Sequence, residues 1–235
     1  MAAKIAILFS WIAFYNLAGC TYTPSTFYFD QECDKVISFT KDMLLEFTEN
    51  TTQADWSEMS CNVVVMTNDT TKRLLITPIY LNVTSSYLCN ETSLNILNSD
   101  AQPLNNPPGI CGKHLSRPTL NTSGEYSWWE YHKDEGVTDP GGFKFLVSAF
   151  RLAKDGFCDH HEYHCSNDNC VSSDVICNNY NDCGDNSDET VACRPSIFEI
   201  LIICFGGILC LVTVAGIIVV IRRRMRGRAQ YMHIQ

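Results

Sequence analysis

The sequence predicts an all-β sandwich followed by a small disulfide-rich module and a single transmembrane α-helix. Three observations predict this architecture: strand-like runs fill the first two thirds of the chain, six cysteines crowd into residues 158–193, and residues 200–221 carry no charge. The chain has 235 residues, a length that suits one or two modest domains.

Residues 1–20 are predicted to be a secretory signal. Lys4 is followed by an apolar run that is too short to span a bilayer and ends in small residues. Cleavage after Gly19 and cleavage after Cys20 both fit this pattern. The last four residues, LAGC, also match a bacterial lipoprotein site, but the features that follow are those of a eukaryotic cell surface.

Residues 30–153 are predicted to form an antiparallel β sandwich. Runs rich in β-branched and aromatic residues are separated by clusters of Asn, Asp, Gly and Pro, a pattern typical of short strands joined by turns. The runs are NVVVM at 62–66, RLLITPIYLNV at 73–83, SLNIL at 93–97 and GFKFLVSAF at 142–150. The segment ISFTKDMLLEF, residues 37–47, fits a strand and a helix equally well.

Cysteines and sequons indicate that this part of the chain lies outside the cell. Ten of the 13 cysteines lie between the signal and the apolar helix, an even number, as a disulfide framework requires. Five Asn-x-Ser/Thr sequons lie in the predicted sandwich, at Asn50, Asn68, Asn82, Asn90 and Asn121. We expect glycans on these asparagines.

The predicted sandwich resembles CUB domains. Two cysteine pairs spaced 28 and 22 residues apart are followed by ICG, SGEYSWWEYHKD and GGFKFLVSAF. This resemblance implies a jelly-roll-like sandwich with the disulfides Cys33–Cys61 and Cys89–Cys111, each stabilising by about 2–4 kcal/mol. One departure is Val63, which stands where CUB domains usually have an aromatic residue.

Many CUB domains hold a calcium ion through one Glu and two Asp side chains. Aligned on the cysteines, these positions are Thr84, Thr92 and Asp134 here, so two of the three carboxylates are missing. Both threonines complete sequons, which would place glycans near the site. The resemblance therefore predicts a CUB-like domain without calcium.

Residues 157–194 form a second, cysteine-rich module that is too small to fold on an apolar core alone. Spacing does not choose among the pairings of its six cysteines. The pattern FC…EYHC…NCV…VICNN…DCGDNSDE…C resembles the low-density lipoprotein receptor class A repeat. This resemblance implies the disulfides Cys158–Cys170, Cys165–Cys183 and Cys177–Cys193.

The same resemblance implies a calcium site among the acidic residues of this module. Calcium takes six or more oxygen ligands, and acids this dense repel one another unless a cation neutralises them. The implied ligands are the side chains of Asn178, Asp182, Asp188 and Glu189 and the backbone carbonyls of Val175 and Tyr180. We expect Asp185 and Ser187 to shape the loop by local hydrogen bonds, and calcium and the three disulfides to form the folding unit.

Two departures from the repeat affect calcium and ligand binding. Asn178 stands where the repeat normally has Asp, so we expect weak calcium binding, toward the ~10⁻⁴–10⁻³ M range of extracellular modules. Val175 stands where ligand-binding repeats often have a Trp that packs on the stem of a partner lysine. The metal is therefore expected to support the fold more than to capture cargo.

The apolar run at residues 200–221 predicts a transmembrane helix over residues 198–221. At about 1.5 Å per residue it is about 33 Å long, against about 30 Å of hydrocarbon. Five arginines follow at once, and basic residues beside a spanning helix mark the cytoplasmic side. We expect a type I plasma-membrane protein whose tail, residues 222–235, carries a tyrosine-x-x-hydrophobic endocytic pattern from Tyr231 to Ile234.

Charge and motifs narrow the class of function. Residues 21–196 carry 11 Lys or Arg and 25 Asp or Glu, a net charge near −14, which argues against heparin or nucleic acid as partner. No nucleophile–base pair or phosphate loop stands out in the sequence, so we do not expect an enzyme.

The order of modules resembles neuropilin- and tolloid-like auxiliary proteins and low-density lipoprotein receptor class A domain-containing proteins. The resemblance implies a cell-surface recognition protein, acting as co-receptor, adhesion partner or auxiliary subunit, that binds extracellular or membrane proteins. The alternative is an endocytic cargo receptor that uses the YMHI signal and binds an endocytic adaptor through its tail.

Overall fold

The computed structural model describes most of the chain between Tyr22 and Met232. The described residues are 22–49, 59–84, 87–105, 109–113, 118–137, 141–191, 193 and 197–232. They fall in two units, of which one is Thr21–Cys193 and the other contains the C-terminal helix. The predicted signal and the sequon at Asn50 lie outside the described residues.

Two β-sheets share one core in the unit Thr21–Cys193. The strands are β1 (Ser25–Tyr28), β2 (Lys35–Phe39), β3 (Asp42–Glu46), β4 (Met59–Thr67), β5 (Arg73–Val83), β6 (Thr92–Asn98), β7 (Gly112–Lys113), β8 (Leu120–Asn121), β9 (Tyr126–Lys133), β10 (Gly141–Leu152), β11 (Glu162–His164) and β12 (Asn169–Ser172). The smaller sheet has the order β2-β4-β9-β6. The larger sheet has the order β1-β3-β10-β12-β11, with β5 also pairing with β10 and with the short β7 and β8.

The predicted β sandwich is confirmed, with two parallel pairs that the antiparallel prediction did not include. β1 pairs with β3, and β2 pairs with β4, in parallel. The ambiguous segment 37–47 forms two strands in different sheets, because the chain leaves the smaller sheet after Phe39 and enters the larger one at Asp42. The helical alternative is therefore wrong.

The central strand of the smaller sheet, β9, is absent from the predicted runs. Its side chains alternate between the core and the outer face: Trp129 and Tyr131 are buried, whereas Trp128 is exposed. Polar Glu130 and His132 interrupt the apolar run, which hid the strand, but this alternation is the period-two pattern of a half-buried strand.

Aromatic side chains fill the core between the two sheets. The buried aromatic residues are Phe29, Phe39, Phe47, Trp129, Tyr131, Phe143 and Phe145. Trp129 from the smaller sheet meets Phe145 from the larger sheet edge to face at a centroid distance of 5.0 Å. The structure joins Cys33 to Cys61 and Cys89 to Cys111, the pairs that the CUB resemblance implies.

The cysteine-rich module extends the larger sheet. β10 continues through Leu152, and it pairs antiparallel with β12. β12 pairs in turn with β11. Leu75 and Phe150 of the sandwich belong to the same buried apolar cluster as Val171 and Val175 of the module. The cysteine-rich module is therefore packed onto the sandwich, and the sandwich supplies part of the module's apolar core.

Ion pairs reinforce this junction. Glu162 of β11 bonds Arg151 at 2.7 Å and Lys72 at 3.2 Å. The side chain of Glu162 is largely buried, so these charge-assisted contacts are less screened by solvent than surface ion pairs.

The C-terminal unit contains the helix α2 (Ile197–Met232). Its segment Cys204–Arg224 has the length and composition needed to cross a membrane, and it overlaps the predicted span. The helix continues beyond the predicted end of that span and includes Tyr231, whereas Ile234 lies outside the described residues.

We predict that Trp129→Ala lowers the free energy of unfolding of the secreted ectodomain, residues 21–193, by about 3–5 kcal/mol, because it leaves a cavity between the sheets. The matched control Trp128→Ala on the same strand removes a side chain that is 43 % exposed and should cost less than about 1 kcal/mol. Urea unfolding followed by far-UV circular dichroism measures both, and equal costs would contradict this account of the core.

Candidate metal centre at the junction of the two modules

The predicted ligands lie on the irregular loop after β12 and on the short helix α1 (Ser187–Thr190) that follows it, which contains Asp188 and Glu189. Asn179 and Asn186 have left-handed backbone conformations, with φ of 68° and 63°, which asparagine adopts more readily than most residues. Gly184 has φ of 82°, and a Cβ there would lie 3.2 Å from a methyl group of Leu75 on the sandwich. Polar turn residues thus shape the loop and let it approach the sandwich closely.

The structure brings the four predicted side-chain ligands together. Oε1 of Glu189 accepts a hydrogen bond from the backbone N–H of Asn178 at 2.8 Å, and Oδ2 of Asp188 accepts one from the N–H of Asp182 at 2.7 Å. The Asn178 amide donates to Oδ2 of Asp182 at 3.0 Å, and its Oδ1 accepts from the N–H of Tyr180 at 2.8 Å. These bonds link Asn178 to Glu189 and to Asp182, and Asp182 to Asp188.

The cystines and the local hydrogen bonds match the sequence-based expectations. The structure joins Cys158 to Cys170, Cys165 to Cys183 and Cys177 to Cys193. Oδ1 of Asp185 accepts hydrogen bonds from the N–H and the hydroxyl of Ser187, at 3.0 and 2.6 Å. Asp185 also lies near Asp188 and the sulfur of Cys183, but that sulfur is in a disulfide and offers no thiolate to a metal.

The sandwich covers one side of this loop. Oδ1 of Asp182 accepts a hydrogen bond from the Ser148 hydroxyl of β10 at 2.5 Å. Oδ2 of Asp42, on β3, accepts one from the Asn178 amide at 3.3 Å. Val175 is buried beside Phe150. Val175, which stands where ligand-binding repeats often have the Trp that packs on a partner lysine, is therefore buried, as are Asn178 and Asp182.

Sequence reasoning missed Asp42 and Ser148, which complete the surroundings of the site. Asp42 is 136 positions from Asn178, and Ser148 is 34 positions from Asp182. Neither belongs to the cysteine-rich motif, and each lies in an apolar strand. The one available signal was a charged residue beside the buried run MLL of β3.

Burial and like charges raise the pKa values of these carboxyl groups. Desolvation, with a smaller contribution from the charge of Asp42, raises the pKa of Asp182 to about 8. Desolvation also raises the pKa of Asp42 to about 6 and that of Asp188 above its usual range. The ionised forms are thus unfavourable here unless a cation compensates them.

Comparison with known proteins identifies the cysteine-rich module. Residues 156–193 match the family model described as low-density lipoprotein receptor domain class A. This segment is a class A domain. Class A domains generally bind calcium. A curated relative, Abnormal cell migration protein 13 of Caenorhabditis elegans, is 32 % identical over 82 residues, which are 34 % of this chain and 22 % of that protein. The chain thus spans less than a quarter of that relative.

The unit Thr21–Cys193 is mostly β, and solved structures that contain CUB domains are among those similar to this chain. The full extracellular region of zebrafish Gpr126/Adgrg6 is similar with a TM-score of 0.40 and 18 % identity, covering 50 % of this chain and 15 % of that one. The CUB1-EGF-CUB2 domains of rat MASP-1 are similar with a TM-score of 0.37 and 12 % identity, covering 57 % of each chain.

The residues of the class A domain fit a calcium ion. Oδ1 of Asp188 is buried and accepts no hydrogen bond from any described residue, so it is available to a metal. Asp182 and Glu189 add carboxylate oxygens, and Asn178 adds an amide, all oxygen donors of the kind that calcium prefers. These side chains would hold the ion, with Val175 and Tyr180 offering backbone carbonyls.

At the CUB-like calcium position, Asp134 is half exposed and bonds His132 at 2.8 Å, while Thr92 is buried. The absence of calcium from the sandwich stays a prediction.

We predict that the chelated ectodomain loses stability as the pH rises from about 5 to about 8.5, because buried carboxyl groups whose folded pKa values are raised must ionise in that window. Stability is fully present below the unfolded pKa near 4 and is lost through the folded value of about 8 for Asp182. Calcium should oppose the loss, since it binds the ionised form.

Thermal unfolding with chelator and with calcium measures this dependence. Asp182→Asn should flatten the pH dependence in chelator, whereas Asp174→Asn, which changes a carboxylate that is 60 % exposed, should preserve it. Stability that rises between these pH values in chelator would contradict the prediction.

Proposed function

We propose that the protein is a type I, single-pass plasma-membrane protein that recognises extracellular or membrane proteins through its CUB-like sandwich. Its class A domain belongs to a kind of extracellular module that mediates protein interactions. In this proposal, calcium in the class A domain supports the ectodomain, the partner binds the sandwich, and the protein acts as co-receptor, adhesion partner or auxiliary subunit. We propose no catalytic role.

An exposed apolar stripe on the outer face of the smaller sheet carries the proposal. Val36, Val64, Trp128 and Leu97 are aligned across all four strands, because Val36 pairs with Val64, Val64 with Trp128, and Trp128 with Leu97. Val36 is 60 % and Trp128 43 % exposed. Exposed apolar patches that contain an aromatic residue are typical of protein-binding surfaces.

Two of the five predicted glycans lie away from this stripe, whereas Asn68 follows β4 and Asn90 precedes β6 of the smaller sheet. Asn82 lies on β5 and Asn121 on β8, which are both strands of the larger sheet. A glycan on either strand would lie on the opposite sheet from Trp128. The outer face of the smaller sheet is thus apolar along the stripe, and the glycans predicted at Asn82 and Asn121 do not cover it.

The class A domain is poorly placed to capture cargo in the usual way. Val175, at the position where a Trp would pack on a partner lysine, is buried in a cluster with Phe150, and Asn178 and Asp182 bond Asp42 and Ser148 of the sandwich. An endocytic receptor that relied on this face would first have to detach its own class A domain. The burial therefore favours the recognition proposal over the endocytic alternative.

We predict that Trp128→Asp weakens binding of a multimerised ectodomain to partner-bearing cells at least about tenfold, because it places a charge in the centre of the stripe. The matched control is Ile79→Asp on the larger sheet, where the isoleucine is 47 % exposed. Flow cytometry over a panel of cell lines measures both variants. Equal binding of wild type and Trp128→Asp would refute the proposed surface.

We predict that Tyr231→Ala leaves the internalisation rate of the full chain unchanged. An antibody to a tag placed before Tyr22 tests orientation and uptake together, since labelling of intact cells requires an extracellular N-terminal unit. Loss of uptake in the variant, with uptake retained in a Gln230→Ala control, would favour the endocytic alternative.

A further inference from the structure

Asp42 is a buried carboxylate of the sandwich that faces the metal centre of the class A domain. It lies at the start of β3 and is only 3 % exposed. Its Oδ2 accepts a hydrogen bond from the Asn178 amide, and its Oδ1 accepts none from any described residue. A buried carboxylate that lacks full compensation is costly, so its surroundings should supply a positive group.

Among the described residues, no positively charged side chain forms a hydrogen bond with Oδ1 of Asp42. The Lys41 ammonium bonds Asp174 at 2.6 Å and lies 5.3 Å from the Tyr22 ring centre. Burial and the neighbouring Asp42 carboxylate raise the pKa of the Tyr22 hydroxyl, so this group adds no positive charge. The nearest charged groups toward the class A domain are carboxylates, with Asp182 foremost.

The Asn178 amide nitrogen lies between two carboxylates from different modules. It is 3.3 Å from Oδ2 of Asp42 and 3.0 Å from Oδ2 of Asp182. Asp182 is in turn bonded through its N–H to Asp188, whose Oδ1 is buried and unpaired among the described residues. Asp42 therefore adjoins the side chains that fit calcium through the Asn178 amide, and its Oδ1 is a second buried oxygen without a hydrogen bond among the described residues.

We propose that Asp42 supplies, from the sandwich, an additional carboxylate ligand to the calcium ion of the class A domain. The inference rests on the proposed calcium site. The domain itself offers four side chains and two carbonyls, whereas calcium accepts six to eight oxygens, so a further ligand can be accommodated. Asp42 also restores the negative charge that is missing at Asn178.

An ion held in this way joins the two modules. Its ligands come from β3 of the sandwich and from the loop after β12 together with α1, which are separated from β3 by more than a hundred residues of sequence. Removing calcium then leaves like charges facing each other across the junction, and binding of calcium favours the docked arrangement.

Terbium luminescence and calcium titration of the ectodomain, residues 21–193, test the proposal. This segment is a compact unit of its own with five disulfides. Terbium replaces calcium in oxygen-rich sites, and its luminescence lifetimes in H₂O and D₂O give the number of bound waters. The variants are Asp42→Ala, the more conservative Asp42→Asn, Asp188→Asn as a loss-of-site reference, and Asp174→Asn as the exposed control.

We expect Asp42→Ala to weaken calcium binding about 10–100-fold and to admit about one further water to terbium. Asp42→Asn should weaken binding by a smaller factor and keep the fold if the alanine variant is not secreted. Asp174→Asn should stay within about twofold of wild type, because its carboxylate is screened by solvent.

Each other outcome overturns a defined part of the proposal. Unchanged affinity in both Asp42 variants shows that Asp42 takes no part in the site. Weaker affinity with an unchanged water count shows that Asp42 acts only through its charge, which overturns its role as a ligand. Absence of saturable binding in wild type, with no effect of Asp188→Asn, overturns the proposed calcium site itself.

Discussion

The junction between the sandwich and the class A domain depends on neutralising carboxylates that are buried there. Asp182 and Asp188 are fully buried, and Asp42 is nearly so. Coulomb repulsion between neighbouring charges is several times stronger inside a protein than in water. Removing these charges from water adds a desolvation cost. Protons or a divalent cation must therefore balance this cluster. The need for a compensating ion links the local chemistry of one loop to the arrangement of the whole ectodomain.

Contacts with the sandwich account for the two departures of the class A domain from its family. Val175 stands where a tryptophan would serve an external lysine, but here the position is buried beside Phe150 of the sandwich. Asn178 stands where an aspartate would face that lysine, but here its amide donates to Asp42. Both changes suit an internal neighbour. The expectation that calcium and three disulfides form a separate folding unit is correspondingly incomplete, because Leu75 and Phe150 supply part of the apolar core.

Sequence reasoning succeeded where the information is local and failed where it depends on the tertiary fold. The run at 73–83 became β5 with the same bounds, because β-branched residues and flanking turn residues report on one strand at a time. The residues proposed as calcium ligands, a role that stays a prediction, could be located for the same reason, since they lie within one short motif. Asp42 and Ser148 could not, because only the pairing of β3 with β10 brings them to that motif.

This topology places the two proposed sites on different sheets. Asp42 and Ser148 lie on β3 and β10 of the larger sheet, whereas Trp128 lies on β9 of the smaller sheet and points away from the core. The aromatic core separates the metal centre from the apolar stripe. In our proposal, calcium therefore has no direct contact with a partner bound on the stripe, and it influences recognition through the stability of residues 21–193. A partner that bound the calcium site directly would have to displace the sandwich from it. That displacement would break the ion pairs of Glu162 and expose the shared apolar cluster.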